Sequence, residues 1–307
     1  MFKNYKFVII ILIIYIFFQI NLSAQKEEYN WYFGVNAGLD FSTTPPTATT
    51  NSMMSQWEGC AVASDRDGNL MFYTNGITVY NKNHQVMLNG SGLLGHNSST
   101  HSAVIVSHPG NKNRFYIFTA SAQGNSDGLR YSIVDMTGDG GLGEIISKNN
   151  LLYTPTSEKI LCVKHSNGKD FWVLTHELNS NRFRIFSINR DGLNTTPNIQ
   201  SIGSVHTNTS SNANAISYIR SNSTGQKIAL AVYSLSFVEL FDFDNSSGIL
   251  SNPITLSTSE FRWVYGLEFS PDDSKLYVSK LYAPSKIYQI DLTLNDPRSN
   301  VSKYVYC

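Results

Sequence analysis

The chain predicts an all-β fold, a β-propeller of four-stranded blades, and three observations carry that expectation. After the first 24 residues no stretch sustains apolar side chains at spacings of three and four, so no long amphipathic helix is foreseen. Short β-branched and aromatic runs, separated by Gly, Asn, Asp and Ser, dominate instead. One unit also recurs, made of an apolar run, a polar turn, a second run rich in aromatics, and a third run ending near Asp or Asn.

Residues 1–24 read as a secretory signal peptide. Lys3 and Lys6 give a positive start, Phe7 to Phe18 is almost unbroken apolar sequence, and Leu22-Ser23-Ala24 offers small residues, so cleavage is expected between Ala24 and Gln25. The apolar run is short beside the ~20 residues of a membrane-spanning helix. The expected location is secreted, extracellular or on the outer cell surface by way of the periplasm, with membrane contact only through the signal peptide or export machinery. Removing 24 of 307 residues leaves 283, and the loss of two lysines turns 23 basic against 23 acidic into 21 against 23, a net of −2. This balance argues against bulk electrostatic binding of nucleic acid. With 41% hydrophobic and 15% charged residues there is enough apolar area for a folded core.

The rest, 25–307, is expected to be one propeller domain. The first copy starts at Gly59-Cys-Ala-Val-Ala, and the copies fall near 59–90, 102–145, 160–197, 216–253 and 264–297. Anchored on Leu70, Phe115, Phe171, Ile228 and Leu276, they are spaced by 45, 56, 57 and 48 residues, close to the ~40–50 of one blade. Asp67-Gly68-Asn69, Asn167-Gly168-Lys169 and Thr224-Gly225-Gln226 each supply a turn residue that tolerates positive φ. Trp31 to Phe41 is placed to be the N-terminal strand that closes the ring. Cys60 and Cys162 sit in apolar strand-like runs and read as buried free thiols, and with Cys307 they make an odd set that suggests no disulfide framework.

Phe269-Ser-Pro-Asp-Asp-Ser-Lys-Leu-Tyr-Val-Ser279 resembles the blade signature of bacterial WD-repeat-like propellers, with Asp273 where that pattern usually has Gly. Trp31 to Phe41, Gly92 to Ala103, Gly128 to Met136 and Val238 to Asp244 resemble the N-terminal propeller of Bacteroidetes secreted gliding-motility-associated proteins, which carry PKD-type modules and leave by the type IX route. The resemblance implies an adhesin-like surface role and supplies no catalytic residues. If that ring has seven blades, two are missing after the five copies here, so an incomplete seven-bladed ring, from a fragment or truncated reading frame, is expected.

Chemistry is harder to find. Gly124-Asn-Ser-Asp-Gly128 matches a hydrolase nucleophile elbow, yet the alternating Leu129 to Val134 follows where a helix is required, so it reads as a loop. Asp65-Arg-Asp67-Gly68-Asn69 lacks the distal acid of a calcium loop and reads as a hairpin turn. Trp57, Trp172 and Trp263 are taken as packing residues between blades. His96, His101, His165 and His176 are the candidate residues of a ligand-binding face, and no catalytic residue, metal site or cofactor is assigned. The function expected is a non-enzymatic binding or scaffold module with an unknown protein or glycan partner at the cell surface. The alternative is an extracellular propeller hydrolase or lyase acting on a polysaccharide or lactone.

Overall fold

The computed structural model describes residues 26–207, 211–257, 261–282, 284–294, 296–297 and 301–306. The signal-peptide reading, its cleavage at Ala24 and Gln25, and Cys307 lie outside the described residues. Strand β1 (Asn30–Phe33) reverses through Gly34 and Asn36, at φ 58° and 54°, into β2 (Ala37–Asp40), and β3 (Thr47–Thr49) completes a three-stranded antiparallel sheet. The stretch 31–41, foreseen as one closing strand, is therefore a hairpin in its own sheet. Two left-handed residues within three positions fold it back on itself.

Antiparallel meanders follow. The first is β4 (Ala61–Ser64), β5 (Leu70–Thr74), β6 (Thr78–Asn81) and β7 (Val86–Ser91); the second is β8 (Ala103–His108), β9 (Asn111–Ala120), β10 (Leu129–Asp135) and β11 (Glu144–Tyr153). They share one eight-stranded sheet because β7 and β11 touch in parallel at Leu88 and Glu144. Next come β12 (Thr156–Lys164), β13 (Phe171–Glu177) and β14 (Arg182–Asn189), whose outer edge pairs with both β15 (Gly192–Leu193) and β16 (Asn198–Ser201). The last two meanders are β17 (Ile219–Ser221), β18 (Lys227–Val232), β19 (Phe237–Asp244), β20 (Ile249–Ser257), and β21 (Val264–Phe269), β22 (Lys275–Lys280), β23 (Lys286–Asp291), β24 (Val301–Tyr306). Helical residues among those described amount to three-residue 3-10 turns. No helix among them is long and apolar enough to cross a membrane.

The core lies between successive sheets. Tyr32 of β1 packs with Met54 and Tyr73; Phe72, Val79, Phe115 and Ile117 join the first two meanders; Phe118, Leu129, Val173 and Phe186 join the second and third. Phe183, Ile185, Leu230 and Phe241 join the third and fourth, and Val238, Phe261, Leu276 and Tyr288 the fourth and fifth. Each fully buried side chain of this kind contributes about 1.5–3 kcal/mol by leaving water, so face-to-face packing holds the arrangement.

The turns follow the residue logic of the sequence. Gly225 and Asp273 occupy the left-handed region at φ 67° and 58°, at the same place in successive meanders. Asp65 accepts from the amides of Asp67 and Asn69 at 2.9 Å each, which accounts for that acidic stretch as a turn. Ser126 lies between a 3-10 turn that ends at Gly124 and strand β10, so the Gly-x-Ser-x-Gly stretch is a loop leading into a strand and not an elbow. Trp57 corrects its expected packing role: it lies in a loop and is 75% exposed. Cys60 and Cys162 are free thiols whose burial pushes their pKa up to about 11 and about 12.

Candidate functional site

Strands β4, β8, β12, β17 and β21, the first of each meander, lie beside one another in chain order. Alternation breaks down in β12, where a register shift between Thr156 and Ile160 leaves Ser157, Glu158 and Lys159 all buried. The segment Ser99-Thr-His-Ser102 before β8 is buried with them and meets β12 and the entry to β17. Close approach requires glycine here: a methyl at Gly59 would meet the Thr100 carbonyl at 2.6 Å.

Glu158 organises the centre. Its carboxylate accepts from the Thr100 amide and hydroxyl at 2.7 Å each and from the Gln123 amide at 2.8 Å. Thr100 Oγ1 in turn accepts from Ser217 N at 3.2 Å. Arg220 of β17 places Nη1 2.9 Å from His101 Nε2. A guanidinium only donates, so His101 accepts at Nε2 and its Nδ1 proton goes to the Glu158 carbonyl at 3.2 Å. Burial first, and the Arg220 and Lys159 charges next, hold His101 well below the ordinary histidine range, in its neutral form.

Arg220 is fixed further by Glu268 at 3.3 Å and by stacking over the Tyr218 ring at 4.4 Å. The charges of both Arg220 and Glu58 act on the Tyr218 phenol. The Glu58 carboxyl is held above the usual carboxylate range by burial and by the Glu158 charge, against hydrogen bonds from Tyr265 and Ser98. Its Oε2 is buried and unpartnered. Tyr265 is raised by burial and keeps its proton.

A second polar group lies beyond Lys159, whose amine donates to the Ala215 and Ile216 carbonyls at 3.1 and 2.8 Å and is brought down to about 7 by burial. His176 and His206 stack at 4.0 Å, and His206 Nε2 lies 3.1 Å from Glu239 Oε2. Burial takes His206 down to about 3, so this is a hydrogen bond from a neutral imidazole and not an ion pair. Among the described residues no set of three His, Cys, Asp or Glu side chains converges on a metal position.

Arg220 also lines an open cleft of about 550 Å³, together with Glu27, Glu28, Trp31, Phe33 and Cys60, with Asn30, Tyr32, Ala61 and Val62 completing the wall. Alternation along β1 turns Trp31 and Phe33 outward, 48% and 40% exposed, while Tyr32 is 7% exposed in the core. This wall joins two aromatic faces to a fixed cation.

Of the foreseen histidines, the structure brings His101 and His176 into the buried centre and leaves the other two apart. His101 is 7% and His176 1% exposed, so neither is on an open loop face. His96 takes the Ser98 amide at 3.0 Å, and His165 stacks on Trp172 at 5.5 Å while accepting from Asn167 N, so both serve their own turns. Glu58, Glu158, Lys159 and Arg220 were not foreseen. The one trace of them in the sequence is the polar run Thr156-Ser-Glu-Lys159 directly before the apolar Ile160 to Val163.

No family model matches the chain, and no curated protein matches it. Solved structures do share its fold. A Bacteroides fragilis protein described as a candidate 6-phosphogluconolactonase aligns over 91% of this chain and 80% of its own, with TM-score 0.52 and 12% identity. The periplasmic gluconolactonase of Pseudomonas aeruginosa aligns over 88% of this chain and 78% of its own, with TM-score 0.50 and 11% identity. The non-enzymatic binding module expected from the sequence is corrected by these comparisons, since both similar propellers are described as lactonases. At such identities the likeness establishes the architecture: the chain has an all-β, propeller-like fold.

Proposed function

We propose that the chain is a hydrolase that opens a cyclic ester, a sugar lactone, in the aromatic cleft beside Arg220. The observation that carries this reading is a guanidinium held by His101, Glu268 and Tyr218 in the wall of an open cleft, with the half-buried Glu58 carboxyl, of raised proton affinity, acting on the same tyrosine. Arg220 supplies positive charge where the lactone carbonyl oxygen becomes an oxyanion. Glu58, ionised, takes a proton from water as its oxygen bonds to the carbonyl carbon. The ring C–O bond then breaks, Glu58 returns that proton to the departing ring oxygen, and the product is the open hydroxy acid. A carboxyl shifted upward suits this role, because a base works best with its pKa near the operating pH.

The same proposal carries the reading of five blades, supported by the five successive meanders, and of a protein exported by its N-terminal segment. The test is acid release from glucono-1,5-lactone, followed by titration at constant pH against an enzyme-free blank. The rate should rise linearly with protein, and Arg220→Lys, which keeps the charge and loses the planar fork, should lower kcat/KM about tenfold or more. Acid release equal to the blank with folded wild-type protein would sink the reading.

A further inference from the structure

Resting on the hydrolase reading, we infer that the cleft takes uncharged sugar lactones and turns away phosphorylated ones, with Glu27 and Glu28 as the discriminating residues. Most side-chain donors in its wall are already committed. Asn30 Nδ2 donates to Ser64 Oγ at 3.1 Å and to the Gly68 carbonyl at 2.8 Å, Trp31 Nε1 to the Glu28 carbonyl at 2.9 Å, and Cys60 Sγ to the Tyr32 carbonyl at 3.3 Å. Arg220 is shared between His101, the Ile219 carbonyl and Glu268. Acceptors, by contrast, are open: the Glu27 Oε2 atom is buried without a partner, and Glu28 is exposed.

A sugar hydroxyl brings a proton to such acceptors. A phosphate brings further acceptors and about two negative charges. It would meet two carboxylates and a single guanidinium, which pairs with Glu268 and faces the lactone carbonyl; the neighbouring Lys26 ammonium lies over the Tyr29 ring and is not part of the wall. Trp31 and Phe33 present flat apolar faces suited to the C–H face of a neutral sugar ring. The same charges oppose retention of the product, which gains a carboxylate when the ring opens.

The test separates binding from turnover by using non-hydrolysable ligands, 1,5-anhydroglucitol and its 6-phosphate, with Trp fluorescence as the readout in wild type, Glu27→Gln/Glu28→Gln and Trp31→Phe proteins. The inference expects the neutral ligand to bind at least about tenfold more tightly in low salt, the gap to narrow as salt screens the cleft, and the double variant to lose most of it. Trp31→Phe should abolish the signal change. Equal or tighter binding of the phosphate by wild type, an unchanged preference in the double variant, or no binding of either ligand would overturn it. If the preference is found while no lactone is opened, the selectivity of the cleft stands and the hydrolase reading fails.

Discussion

The interface between the third and fourth meanders and the polar centre beside it are equally dry but held by different means. Phe183 and Phe241 meet edge to face at 5.2 Å, each at most 1% exposed, and contribute by leaving water. Glu158 and Lys159 are both 0% exposed and are tolerated only because each finds partners 35 to 58 positions distant in the chain. The apolar interface is adaptable and the polar centre is not, since any single loss there strands a buried donor or acceptor. That contrast makes the centre suited to holding a reactive group such as Arg220 in one place.

The contrast is sharpened most by truncating its apolar side. Phe241→Ala should cost about 3–5 kcal/mol in denaturant unfolding, and the loss should be nearly independent of pH. Glu158→Leu should cost about 2–4 kcal/mol, because the Thr100 and Gln123 amides lose their acceptor. Unlike Phe241→Ala, it should also loosen the Thr100 segment that carries His101 and lower lactone opening well beyond the loss in stability. If Glu158→Leu were as stable as wild type, the polar centre would not be the constrained region described here.

Acid distinguishes the two regions next. His101, His176 and His206 are all depressed, chiefly by burial, so the unfolded chain binds more protons than the folded one. Their contribution is fully present above the unfolded value near 6.5 and is lost as pH falls below it, down to about 3 for His206. Thermal midpoints should therefore fall from about pH 6.5 downward, and His176→Phe should flatten that slope. Lys159, lowered to about 7, adds a second rise in stability from about pH 7 to its unfolded value near 10.5. A midpoint that stays level from pH 7 to pH 4 would contradict the neutral buried histidines.

The smallest effect belongs to a surface turn. Asp273 accepts from Ser223 N and Oγ at 2.9 and 2.7 Å and from Asn222 Nδ2 at 2.9 Å, tying the fourth meander to the fifth. Asp273→Gly relieves the positive φ but loses these bonds, for a net cost of about 1 kcal/mol in unfolding experiments. An increase in stability would mean that the bonds contribute nothing.

These residues also explain what could be read in advance. Hairpins and interfaces were legible because period-two runs and Gly or Asp turn positions are local signals, and Gly68, Gly168, Gly225 and Asp273 all adopt the positive φ they suggested. The centre was not legible, because it joins His101 to Arg220 across 119 positions and Thr100 to Ser217 across 117. Chain spacing cannot report such contacts. His101 and His176 could be singled out as unusual residues, but their burial, and the carboxyl and guanidinium groups around them, depend on the bulge in β12 and on the packing of successive meanders.

The most direct test of the central claim is the pH dependence of kcat/KM for lactone opening by wild type and Glu58→Gln. With Glu58 as the base, the wild-type rate rises with pH through an apparent pKa above the ordinary glutamate value of about 4.3. Glu58→Gln should lose that limb together with about a hundredfold or more of the rate. Equal rates and the same profile in both proteins would contradict the account.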